Sequence, residues 1–363
     1  MYLNLYELSF VVSYVDTSFF INDVELSSII YTNTLSNDVI KDINTRLGKS
    51  EFCVLQISTL EDKDVEKINK VVKKHDYKLI AFINNDVSLK KKLLKAGFDD
   101  VFTIDEKVKI NKIKLSCDLK DVKGNFDIIG DIHGCYDELI DLLIKAGYTF
   151  KDGELEPLND RKLIFLGDLV DRGNKIKEVL ELVMKLVNKK VAYCIMGNHD
   201  DKLLRYLKGN NVKIIHGLES SVEQLSNESK EFIDSVIDFL SELPVQYVFD
   251  EGRLVVAHAG LKEDYHGKES KRIRKFALYG DITGETDEEG FPIRRDWALN
   301  YKGKALVVYG HTPYLEIRSY NNTINIDTGC VFGNKLTMLR YPELEIIDVD
   351  ANKVYYEHKR KLV

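Results

Sequence analysis

Five short apolar runs do most to constrain the fold: "FDIIG" (126–130), "KLIFLG" (162–167), "VAYCIMG" (191–197), "RLVVAH" (253–258) and "ALVVYG" (305–310). Each has the length and composition of a strand, and helical patterns separate them: "DELIDLLIKAG", "NKIKEVLELVMKLVNKK" and "SVEQLSNESKEFIDSVIDFLSEL", the last read as two helices. The tail "LTMLRYPELEIIDVDANKVYYEHK" alternates like a closing pair of strands. An α/β domain follows from this rhythm.

Every run stops at a polar residue able to bind a metal. In order these are Asp131 and His133, then Asp168, then Asn198 beside His199, then His258, then His311. Ligands in α/β folds gather at the carboxyl ends of strands, so these side chains are expected to converge. One DxH after a strand is as readily a helix cap with a surface histidine; five matching run ends favour metal. Oxygen and imidazole donors suit manganese, iron or zinc, and no thiolate stands where it would impose a closed structural zinc site. Six ligands are too many for one ion that keeps water, but they suit two ions about 3.5–4 Å apart, sharing a carboxylate and clamping a phosphoryl oxygen. Asp168 is the expected bridge. In "GDLVDRG" Asp171 and Arg172 follow it closely, and an arginine fork matches phosphate oxygens. His199, next to Asn198, is left to donate a proton to a leaving oxygen. Gly130, Gly134, Gly167 and Gly197 allow sharp strand-to-loop turns. His216 is read as structural, His75, His266 and His358 as solvated, and Cys135 as a thiol packed under its loop.

The 363 residues, 44% of them hydrophobic, suffice for two domains with ordinary cores. The first ~118 alternate β-type runs ("LSFVVSYV", "FCVLQIS", "YKLIAFIN") with helical stretches such as "EDKDVEKINKVVKKHD", predicting an α/β domain of three or four strands in a parallel sheet. The polar stretch around Gly124 and Asn125 marks the boundary, giving domains 1–118 and 119–363. No apolar run approaches the ~18 residues of a membrane span, and no signal-peptide pattern opens the chain, so the cytoplasm is expected. Five scattered cysteines indicate buried thiols of a reducing cell. A net charge of −7 argues against nucleic-acid binding over the whole surface, while a local basic groove remains open.

The motifs "GDIHGCYDEL", "GDLVDRG", "GNHD", "VVAHAG" and "YGHTP" resemble the calcineurin-like metallophosphoesterases, in the branch containing serine/threonine protein phosphatases and dinucleoside polyphosphate hydrolases. The resemblance implies a four-layer αββα sandwich and two divalent ions, manganese first with iron, zinc or nickel as alternatives. It implies one ion on Asp131, His133 and Asp168, and a second on Asp168, Asn198, His258 and His311. By the same resemblance His199 is the general acid supported by Asp171, and Arg172 holds the substrate phosphate. The chain departs from the nuclease pattern GHxH, having Thr312-Pro313 after His311. It also has Asn174 where a proline often follows DRG, and Asp200 where glutamate is frequent.

A narrower resemblance, through "IIHGLESSVEQL", the insert Tyr279–Trp297 and "INIDTGCVFGNKLTMLRYPE", points to the phosphatase module of bacterial polynucleotide kinase-phosphatase, with Asp327 near the substrate. It implies phosphomonoester and 2′,3′-cyclic phosphodiester substrates at RNA 3′ ends. Protein phosphatase, dinucleoside polyphosphate hydrolase and non-catalytic regulatory protein are the alternatives. The preceding domain would then be a degenerate P-loop-kinase-like lobe, for no glycine or lysine occurs from Glu7 to Val24 to build a phosphate loop. It looks equally like a receiver-type flavodoxin-like domain or a plain α/β domain, and its partner is not indicated.

Overall fold

The N-terminal lobe is a five-stranded parallel sheet of β1 (Ser9–Ser13), β2 (Ile29–Tyr31), β3 (Cys53–Gln56), β4 (Lys78–Ile83) and β5 (Asp100–Thr103), in the order β2-β3-β1-β4-β5. The computed structural model describes residues 2–16, 28–49, 51–287 and 292–357. It divides into one unit of residues 1–115 with 268–270 and another of 116–267 with 271–363. Around the first sheet lie α1 (Asn37–Gly48), α2 (Asp62–Lys74) and α3 (Val87–Lys95). The side chain of Ser36 caps α1 by accepting from the Val39 N–H at 3.3 Å. In α2, Val65, Ile68 and Val72 turn one face to the core, with Asp62 and Asp64 in the first turn and Lys73 and Lys74 in the last, matching the helix dipole. A flavodoxin-like sheet runs 2-1-3-4-5; here β1 lies between β3 and β4, which removes the receiver-type likeness. The sheet has five strands where three or four were expected, because β2 and β5 are three and four residues long and too brief to show a period. Tyr2–Tyr6 and Lys109–Ile113 form a separate parallel pair. Most of the stretch after β1, where a kinase phosphate loop would begin, falls in residues 17–27, outside the described residues.

In the second unit all five apolar runs are strands. The strands of its two main sheets are β6 (Asp118–Leu119), β7 (Phe126–Ile129), β8 (Lys162–Phe165), β9 (Ala192–Cys194), β10 (Gln246–Phe249), β11 (Leu254–Ala257), β12 (Leu306–Tyr309), β13 (Arg318–Tyr320), β14 (Thr323–Asn325), β15 (Lys335–Tyr341) and β16 (Glu345–Asp350). One sheet runs β9-β8-β7-β15-β16, the other β13-β14-β12-β11-β10-β6. Within the first sheet β7, β8 and β9 are parallel, and β15 of the closing hairpin is antiparallel both to β7 and to β16.

Alternate side chains divide the unit into layers. Ile128, Ile164 and Leu166 from one sheet meet Leu254, Val256 and Val308 from the other, and Phe126 stacks on Phe249 across the gap with ring centroids 4.9 Å apart. The opposite faces, Ile129, Leu163 and Phe165, pack on α4 (Tyr136–Lys145) and α5 (Ile176–Asn188), while Val255, Ala257 and Val307 share their apolar cluster with Ile273 and Phe276 of α9 (Lys271–Tyr279). Helix–sheet–sheet–helix layering is the result. Each fully buried large side chain contributes about 1.5–3 kcal/mol, so the five loop-bearing strands are rigidly held. Between them run α6 (Asn198–Leu207), α7 (Leu218–Leu225) and α8 (Lys230–Glu242).

Among the described residues no helix is long and apolar enough to cross a membrane. His75 and His266, expected to be solvated, are half-buried: His75 Nε2 lies 3.1 Å from Asn44 Oδ1, and His266 packs on Tyr301 with an unpartnered Nε2. Burial lowers the His266 pKa to about 4. Charged neighbours in sequence misled here, because the apolar body of the ring faces inward. His358 lies outside the described residues.

Candidate active site

The loops following β7, β8, β9, β11 and β12 bring together Asp131, His133, Asp168, Asn198, His258 and His311. Asp131 and His133 do not cap α4, whose N-cap is Cys135 without a side-chain bond. His258 is central and fully buried. Its Nδ1 faces the Leu166 carbonyl at 2.9 Å, which directs its Nε2 to Asn198 Oδ1 at 2.9 Å, His311 Nδ1 at 3.1 Å and Asp168 Oδ2 at 3.4 Å. His311 Nδ1 is in turn 2.7 Å from Asn198 Oδ1. Four lone-pair-bearing atoms thus point at one small volume, which calls for a cation.

A second grouping shares Asp168. One ligand atom from each of His133, Asp168 and His199 lies within 4.8 Å of the others, with His133 Nε2 3.4 Å from Asp168 Oδ2 and His133 Nδ1 held by the Val170 carbonyl at 2.7 Å. Asp131, grouped with His133 from sequence, turns its carboxylate to the His311 N–H at 3.1 and 3.3 Å and lies 4.0 Å from His258 Nδ1. Asp168 therefore stands between both groupings, as its sequence position suggests.

Electrostatics give the same answer. Asp131, Asp168, Asp200 and Asp327 are all buried. Burial and the charges of Asp327 and Asp168 push Asp131 well above the carboxylate range; burial, with Asp168, pushes Asp200 up to about 7 and Asp327 up to about 6. Burial opposes charge on His258 too, yet Asp168 and Asp131 overcome it and raise it to about 10. Burial likewise opposes charge on Asp168, but His258 and His199 hold it well below its ordinary range. A site that demands positive charge this strongly suits a divalent ion. His311 Nε2 is buried without a partner, and the donors are all oxygen and imidazole. The residues fit a binuclear divalent centre.

Two glycines are required for this geometry. A Cβ on Gly197 would sit 2.2 Å from Asp168 Oδ1, and one on Gly310 would sit 2.2 Å from Asp131 Oδ1. Strain is stored alongside: His133, Asp168, Asp171, Arg172 and His311 all have φ between 47° and 73°, a region non-glycine residues enter at a cost of about 1–3 kcal/mol and which clusters at functional sites.

Beside these two groupings, His199 Nδ1 bonds Asp171 Oδ2 at 2.5 Å. Asp171 is fully buried, and its other oxygen accepts from Ser221 Oγ at 2.5 Å. Ser221 is one residue sequence reasoning missed, since α7 carries it to the site from far along the chain. The Arg172 guanidinium forks onto His133 Nε2 at 2.6 Å and His199 Nε2 at 2.8 Å. It packs against Phe332 and Tyr356, 5.1 and 5.8 Å from their ring centroids, which fixes its plane. His216 is exposed, but the adjoining Gly217 backs Arg172, accepting from its N–H at 3.0 Å. Asp327 accepts from the Gly329 N–H at 3.0 Å and stacks its Cβ near Gly310. Asp200, noted from sequence only as a departure, accepts from the Leu169 and Gly197 N–H groups at 3.0 and 2.9 Å, tying the Asp168 loop to the start of α6.

Residues 124–336 match the model of the calcineurin-like phosphoesterase family, and the chain belongs to that family. It is accordingly a metal-dependent hydrolase of phosphate esters, which sets aside the non-catalytic reading. Among its relatives, the bis(5′-nucleosyl)-tetraphosphatase PrpE [asymmetrical] of Bacillus velezensis is 51% identical over 234 residues, covering 63% of this chain and 94% of the relative. The protein of that name in Bacillus subtilis is 50% identical over 238 residues, covering 64% and 98%. A solved protein serine/threonine phosphatase from Saccharomyces cerevisiae is 16% identical with a TM-score of 0.44, covering 66% of this chain and 84% of that one. The two Bacillus relatives carry a dinucleoside tetraphosphatase name, not the RNA-repair name suggested by the insert.

Proposed function

We propose that the chain hydrolyses dinucleoside polyphosphates, with bis(5′-nucleosyl)-tetraphosphate as substrate and manganese as the ion. The observation that carries this reading is the 51% identity to a protein named for that reaction, over nearly its whole length. It replaces RNA 3′ ends, the first expectation from the insert, with the alternative raised beside it.

Asp131, His133, Asp168, Asn198, His258 and His311 would hold two divalent ions, with Asp168 shared. Bound there, such ions supply Lewis-acid polarisation of a phosphoryl oxygen and activation of water. The chain's own residues do the rest. Arg172, packed against the touching rings of Phe332 and Tyr356, offers its two-pronged guanidinium to phosphate oxygens when it leaves His133 and His199, and so neutralises charge that grows during in-line displacement. Asp171 fixes the Nδ1–H tautomer of His199, leaving Nε2 to carry a proton to the departing oxygen. Asp327 lines the opening and orients the loop through Gly329. A nucleotide phosphate is a good leaving group, so protonation by His199 matters less for a tetraphosphate than for an alkyl phosphate.

The test is a manganese-supplemented comparison of diadenosine tetraphosphate, 3′-phosphate RNA, 2′,3′-cyclic nucleotides and phosphopeptides. The expected result is the largest kcat/KM on diadenosine tetraphosphate, with ATP and AMP in equal amounts. A higher kcat/KM on RNA ends or phosphopeptides refutes the substrate assignment.

For the first domain, residues 1–118, we infer a kinase-related lobe that has lost its phosphate loop. Its parallel sheet with β1 inside supports this, as does the absence of glycine and lysine from Glu7 to Val24. Failure of the full chain to retain ATP in equilibrium dialysis once the phosphoesterase site is blocked is expected; retention at micromolar affinity refutes it.

A further inference from the structure

We propose that Cys135, Glu138 and Cys330 form a separate site for one thiophilic divalent ion, zinc or cadmium in chemistry, behind the catalytic loops. Cys135 ends the loop that carries Asp131 and His133, Glu138 lies in the first turn of α4, and Cys330 follows the Asp327 loop. All three are buried, at 0%, 1% and 2% exposure. One donor atom from each lies within 4.8 Å of the others.

The independent sign that points to a cation is Glu138. Its Oε1 accepts from the Asn352 N–H at 2.9 Å and the Tyr355 hydroxyl at 2.8 Å, both neutral donors. Its Oε2 is buried with no partner. A buried carboxylate with an orphan oxygen is costly unless it pairs with a cation or coordinates a metal. Spacing is compatible: donors about 2.1–2.3 Å from a tetrahedral ion stand about 3.4–3.8 Å from each other, and the three donor atoms here lie no more than 4.8 Å apart. The His133 carbonyl oxygen, 3.9 Å from Cys135 Sγ, is within reach as a fourth donor.

Softness sorts the ions. Two sulfurs favour zinc or cadmium, whereas the catalytic cluster offers only oxygen and imidazole, so manganese has no reason to enter the sulfur site. An ion here would join the Asp131–His133 loop to the Cys330–Phe332 turn, whose Phe332 packs on Arg172. Its role is structural, since the donors are closed to solvent.

Cadmium titration of the full manganese-loaded chain, kept reduced and followed in the ultraviolet, tests this, because sulfur-to-cadmium charge transfer is invisible to a sulfur-free catalytic centre. The expected result is a band that saturates at one cadmium per chain and disappears in Cys330→Ser. Glu138→Gln should weaken binding at least as much as losing an outer-shell partner does, about 10- to 100-fold. No band in the wild type, or a band surviving in Cys330→Ser, overturns the proposal. Should the serine variant fail to fold, anomalous diffraction at the zinc edge from zinc-soaked wild-type crystals decides: a peak among the three side chains is expected, and its absence, or a Cys135–Cys330 disulfide in its place, overturns the site.

Discussion

Gly310→Ala separates catalytic geometry from fold. Gly310 precedes His311, its N–H is bonded to the His258 carbonyl at 2.8 Å, and its φ lies outside the left-handed region, so alanine meets no backbone objection. The new Cβ would nevertheless stand 2.2 Å from Asp131 Oδ1, where ordinary contacts begin at 3.4 Å. Asp131 cannot retreat freely, because the His311 N–H holds both of its oxygens. The carboxylate must move by about 1 Å, and misplacement on that scale costs about 10²-fold in rate. Overpacking adds about 1–3 kcal/mol of destabilisation, a fall of about 2–12 °C in Tm for a unit of this size. The assay is kcat/KM on diadenosine tetraphosphate at saturating manganese, with Gly48→Ala as control, since its Cβ would make an ordinary 3.5 Å contact with His75. Activity within about twofold of wild type would show that Asp131 is not held where the structure has it.

Asp171→Asn should lower kcat on alkyl phosphates by about 10²-fold or more and on diadenosine tetraphosphate by less, because the His199 proton matters most for poor leaving groups; equal losses on both contradict this role. Chelator treatment should lower Tm, as four buried carboxylates lose their counterions, and manganese at a hundred times its dissociation constant should restore about 2.7 kcal/mol, measurable by calorimetry. The half-buried His266, with a folded pKa of about 4 against an ordinary 6.5, binds its proton more weakly folded than unfolded. Stability is therefore fully present above pH 6.5 and declines toward pH 4, by an amount on the order of 3 kcal/mol; His266→Gln should flatten that part of the denaturant-midpoint profile. Phe249→Ala, which empties the stack on Phe126, should cost about 3–5 kcal/mol in urea unfolding.

The catalytic half was legible because its information is local. Each strand is a contiguous apolar run, and each candidate ligand sits one to four residues past its end, so Asp131, His133, Asp168, Asn198, His258 and His311 could be picked out without knowing how the sheets pack. Partners supplied from elsewhere were not. Ser221 reaches Asp171 only because α7 folds back onto the "GDLVDRG" loop, and Phe332 and Tyr356 meet Arg172 only through the closing segment. The pairing of Cys135 with Cys330 has no sequence signature at all, since neither belongs to a CxxC. Positive φ at Asp168 and Arg172 was equally hidden, glycine being the residue that advertises such turns. In the first lobe, β2 and β5 are too short to carry a period, and strand order, which rejects the flavodoxin-like arrangement, is a property of packing.

Manganese content after equilibrium dialysis of the catalytic ligand variants bears most directly on a two-ion centre bridged by Asp168. Two ions per chain are predicted for the wild type, with Asp168→Asn losing both, and Asn198→Ala losing only one. A single ion in the wild type, or Asp168→Asn retaining the wild-type count, would contradict it.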